Sequence, residues 1–101
     1  MQIRQGDVFI QTCNVAPANM HPIESKAGRL ILAEGEATGH HHSVPATAAQ
    51  LFAVDDRMVM VVSEPTVISH QEHAAIEIAP GMYWVVRQRE YTPQAIRRVA
   101  D

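Results

Sequence analysis

Apolar and polar residues alternate with a period of two along most of this 101-residue chain, the pattern of strands that bury one face. Asp7–Cys13 predicts a first strand entered through Gly6, and Arg29–Glu34 predicts a second. Leu51–Val54 and Met58–Val62 flank Asp55-Asp56-Arg57 and predict a hairpin. Thr66–Ser69 and Ala75–Ile78 add two short strands on either side of His70–His73. Pro80-Gly81 then turns the chain into Met82–Glu90, the strongest strand pattern. Asn14–Ala27, with two prolines and two asparagines, predicts a loop or a loosely attached crossover. At the C-terminus, Thr92 as N-cap and Pro93 at the first helical position predict a short helix or an ordered tail. About seven short strands joined by Gly/Pro turns predict an all-β fold, a small antiparallel barrel or sandwich. Residues 1–101 form a single domain at this length.

Composition narrows the picture. An apolar fraction of 47% supplies one modest core. A net charge of −3 argues against a general electrostatic grip on nucleic acid, although Arg87, Arg89, Arg97 and Arg98 make a local basic cluster. Cys13 is the one cysteine, so neither an internal disulfide nor a thiolate-rich zinc site can form. No apolar run approaches the ~20 residues of a membrane helix. The Met1–Asp7 segment also lacks the apolar stretch of a signal peptide, so the expected location is cytoplasmic. Strand edges at this size call for barrel closure or a second copy. A homo-oligomer is expected, with Met58, Met60 and Met82 as an adaptable interface.

The candidate chemistry lies in histidines. Five of the six fall in two clusters, Gly39-His40-His41-His42 and His70-Gln71-Glu72-His73. On an extended chain His40 and His42 share a face, with Cα atoms roughly 6.5–7 Å apart, while His41 points away. His70 and His73 can share a face only in a turn or helical turn. Both clusters are read as arms of one site in which His40, His42, His70 and His73 hold a divalent metal. Glu72 or Glu36 would supply a carboxylate ligand or general base. Three imidazoles suit zinc, and two with a carboxylate suit iron(II). Trp84 and Arg89 are candidate pocket residues for a small-molecule ligand, Arg89 as a bidentate partner for carboxylate or phosphate. Two other readings stay open: a non-catalytic module whose histidines form a hydrogen-bonding network, and a metal-free enzyme using His and Glu72 as acid and base.

The stretch from Gly35 to Tyr91, with Thr38–His42, His70–His73 and Gln88-Arg89-Glu90-Tyr91, resembles a group of small bacterial β proteins of uncharacterised activity. More distantly the chain resembles the cupins, which pair an HxH motif on one strand with a later Pro-x-Gly-x-x-His motif and bind a divalent metal inside a β-barrel. His40 and His42 match the HxH. Pro80-Gly81 is not followed by a histidine, so the resemblance implies that His70 or His73 takes that role.

Overall fold

The computed structural model describes residues 2–34 and 39–87. Among them are ten strands and no helix: β1 (Gln2–Gln5), β2 (Val8–Thr12), β3 (His21–Ile23), β4 (Arg29–Glu34), β5 (His41–Pro45), β6 (Ala49–Val54), β7 (Arg57–Val62), β8 (Thr66–Ile68), β9 (Ile76–Ile78) and β10 (Gly81–Arg87). The predicted C-terminal helix or tail, Arg89 and Glu36 lie outside the described residues.

All pairings are antiparallel. Six strands form a large sheet in the order β1-β2-β10-β7-β6-β3. The hairpins β4–β5 and β8–β9 are joined through a two-way backbone pairing of Ser43 with Ser69, at 2.9 and 3.0 Å. They lie across the core from the large sheet. Val8, Ile10, Leu51, Met60, Val62, Tyr83 and Val85 from one side pack with Leu30, Leu32, Val44, Ile68 and Ile78 from the other. The fold is therefore the sandwich rather than the barrel, because β1 and β3 end the large sheet without meeting each other.

Three strands escape the period-two pattern: β5, which carries His41 and His42, β1 and β3. In β1, Gln2-Ile3-Arg4-Gln5 carries one apolar residue, yet it pairs residue for residue with Val8–Gln11. Gly6 is therefore a turn residue, the first of the two-residue connection Gly6-Asp7, and its φ of +57° suits glycine there. Within Asn14–Ala27, β3 docks on β6 and covers that edge of the sheet. Pro22 on β3 has no N–H to offer a further strand, which suits an edge position. Two of the three methionines expected at an interface point inward. Met60 is fully buried and Met58 packs against the core, because both fall on the inner face of β7.

Burial sets the energetics. Ile10 has no exposed surface, whereas Val15 on the β2–β3 connection is 79% exposed. Ile10→Ala is expected to cost about 2–5 kcal/mol in urea unfolding through lost burial and the cavity left behind. Val15→Ala is expected to stay within about 0.5 kcal/mol.

Candidate functional site

The two histidine clusters meet. Alternation along β5 puts His42 on the core side of the sandwich, where it is 1% exposed, and turns His41 away. His70 and His73 lie on the loop between β8 and β9. The Ser43–Ser69 pairing delivers that loop beside β5. The His42 and His70 ring centroids are 4.4 Å apart, those of His70 and His73 4.6 Å, and those of His40 and His70 5.8 Å. His42 and His73 stand nearly parallel at 6.0 Å. His41 meets the same loop through its backbone N–H, which donates to Gln71 Oε1 at 2.8 Å.

Each ring's tautomer follows from its partners. Gln5, buried at the end of β1, donates from Nε2 to the carbonyls of Ile68 (3.1 Å) and Ala74 (2.9 Å). Carbonyls only accept, so Gln5 Oε1 must be the acceptor for His42 Nδ1–H at 2.8 Å. The neutral His42 ring then carries its lone pair on Nε2. That nitrogen lies 3.3 Å from Asp7 Oδ1. His40 is oriented in the same sense, because its Nδ1 lies 2.7 Å from Glu72 Oε1 and donates to the carboxylate, leaving Nε2 as the basic nitrogen.

His70 behaves differently. Its Nδ1 accepts the backbone N–H groups of Glu72 (3.0 Å) and His73 (3.2 Å), so its proton resides on Nε2. A metal on Nε2 would need the proton moved to Nδ1, against two N–H donors. In this conformation His70 organises the loop and packs on His42, and it does not offer a lone pair.

The β1–β2 turn completes the site. A methyl group at Gly6 would stand 2.6 Å from His73 Nε2 and 3.2 Å from His42 Cε1, so the absence of a side chain lets the turn lie against both rings. Asp7, next in the turn, faces His42 with Oδ1 and Arg87 with Oδ2, 3.7 Å from Nη2. Arg87 Nη2 also donates to the Glu34 carbonyl at 3.1 Å. Among the described residues, no three His, Cys, Asp or Glu groups converge closely enough to hold an ion as the side chains stand.

Gln5, Gly6, Asp7 and Arg87 were not anticipated as a group. Only Arg87 carries a signal in the sequence, as one of the four arginines of the local basic cluster. Trp84 is not brought to the cluster. It lies on the outward face of β10, between inward-facing Tyr83 and Val85, with the Arg57 guanidinium 4.0 Å from its ring centroid. Glu72 is at the rim, with its side chain 67% exposed.

A family model described as a domain of unknown function, DUF8820, matches residues 4–88. The chain belongs to that family. The matched span contains every site residue described above, from Gln5 through Arg87. No curated protein and no solved structure matches the chain.

Desolvation by burial, followed by the nearby His70, holds His42 below the ordinary imidazole value of 6.5, with Asp7 opposing. Desolvation, followed by His73 and His40, lowers His70 as well. Both rings bind protons more weakly folded than unfolded. Stability is therefore fully present above about pH 6.5 and is lost as pH falls from there toward the depressed folded values. Thermal melts of metal-free protein should give a midpoint that is flat near pH 7.5 and declines between pH 6.5 and 5.5. His42→Gln, which does not titrate, should show a shallower decline.

Proposed function

We propose that this DUF8820 domain is a cytoplasmic metal-binding protein whose histidine site takes a divalent transition metal, zinc or iron(II). His42 Nε2 and Asp7 Oδ1 are the first two ligands. The observation that carries this reading is their separation of 3.3 Å in the tautomer that Gln5 imposes. At neutral pH these are two acceptors facing each other, an arrangement that favours a cation between them. Donors bound to one ion at about 2.0–2.1 Å lie about 3–3.5 Å apart, which agrees with this pair. His73 and His40 sit on the loops that border the pair and are the candidates for a third ligand nitrogen. His40 has the carboxylate behind its ring that ligating histidines commonly have. Three protein ligands would leave an open position for chemistry on a small molecule.

The metal-free acid/base reading has one observation of its own. The Glu72 carboxylate on His40 Nδ1 orients that ring and leaves Nε2 as its acceptor nitrogen. Metal titrations separate the two readings. Protein made without a histidine tag should bind one equivalent of zinc or iron(II) at pH 7.5, and binding should weaken at pH 5.5, where protons compete for the rings. A hundredfold excess of metal over its dissociation constant should add about 2.7 kcal/mol to stability. His42→Ala and Asp7→Asn should each lose the thermal shift, while His41→Ala and His21→Ala should keep it. A shift that survives in both His42→Ala and Asp7→Asn would refute the assigned pair, and no shift with any metal would refute the metal site.

A further inference from the structure

We propose that the ligand taken up at this site carries a carboxylate and that Arg87 is the group that recognises it. The proposal rests on the metal reading above. Arg87 follows Val85 on the inward face of β10 and pairs with Val8 across the sheet, which carries its guanidinium to the site's margin. There the Asp7 carboxylate spans the gap between His42 and Arg87, with Oδ1 3.3 Å from the His42 Nε2 lone pair and Oδ2 3.7 Å from Arg87 Nη2. A metal on His42 Nε2 would therefore have a guanidinium one carboxylate's width away. A second carboxylate, bound to the metal through one oxygen, would meet the same guanidinium with the other.

The donor inventory favours this occupant. Arg87 has five N–H donors, and among the described residues its contacts are made by Nη2, at 3.1 Å with the Glu34 carbonyl and loosely at 3.7 Å with Asp7. Its Nε–H is shielded from solvent and has no hydrogen-bond partner. A buried donor without a partner costs stability and marks a place where an acceptor is missing. Neighbouring N–H groups of the planar guanidinium can both donate to the carboxylate oxygen that the metal leaves free. The 3.7 Å contact to Asp7 is long enough to yield as the ligand enters, and the Arg87 side chain is 25% exposed, so the route in lies along it.

The test uses the full chain loaded with cobalt(II), whose visible absorption reports ligand changes at the metal. Acetate should change the spectrum of the wild-type protein saturably, and acetamide, which is uncharged, should not. Compared at saturating cobalt, Arg87→Met should bind acetate at least about tenfold more weakly than the wild type, the scale of a lost charge-assisted hydrogen bond. Arg87→Lys keeps the charge and the reach to Glu34, and should weaken acetate binding by a smaller factor. Wild-type acetate affinity in both variants would overturn the proposal and leave the metal site standing. So would inorganic phosphate binding more tightly than acetate, or a cobalt spectrum indifferent to acetate. Failure of the wild-type protein to bind cobalt at all would overturn the metal reading, and this proposal with it.

Discussion

A primary amide cannot exchange its donors for its acceptor without losing every bond it makes. Gln5 uses this constraint to connect three parts of the molecule. From the end of β1 in the large sheet, its NH2 group satisfies the Ile68 and Ala74 carbonyls at either end of the β8–β9 loop, and its oxygen holds His42 of β5. Reversing the amide would set two carbonyls against an oxygen and His42 Nδ1–H against an NH2 group. Each buried group left unpaired would cost about 1–3 kcal/mol. One side chain thus closes the sandwich at this end, anchors the loop that carries His70 and His73, and selects the His42 nitrogen that faces Asp7.

The rest of the site follows from that anchor. With the loop held, His70 can spend its Nδ1 on the loop's own backbone and present its ring to His42. The Gly6-Asp7 turn adjoins Gln5 directly, so the residue that fixes His42 on one side is two positions from the carboxylate that faces it on the other. Structural and chemical roles are divided within a single cluster. Gln5 and His70 organise, while His42, Asp7 and the looser His40 and His73 retain groups able to act on something else.

Alternation made much of the fold legible. β4 falls where its pattern predicted, and β2, β6, β7, β8, β9 and β10 lie within a few residues of their predicted spans, because each buries one face and period two records that directly. β1 and β3 left little trace. Their formation depends on pairing with β2 and β6 rather than on apolar side chains of their own, and Pro22 reads as a breaker until its edge position is known. That His40 and His42 belong to one neighbourhood was suggested by spacing, and each ring meets His70. The need for a turn to unite His70 with His73 was readable as well. The long-range bonds were not. Nothing in Gln5 or Asp7 as isolated letters says which ring each will meet, and the consumption of His70 Nδ1 by two backbone N–H groups appears only once the loop has its shape. Trp84 shows the reverse: its outward placement was implicit in the burial of Tyr83 and Val85 on either side.

The central claim is that Gln5 forces His42 into the tautomer whose lone pair faces Asp7. Long-range proton–nitrogen NMR on metal-free protein at pH 7.5 tests it directly, because a protonated and an unprotonated ring nitrogen resonate far apart. The account predicts His42 with the proton on Nδ1 and His70 with the proton on Nε2, in opposite patterns within one cluster. His42 protonated on Nε2, or averaging between tautomers, would contradict it.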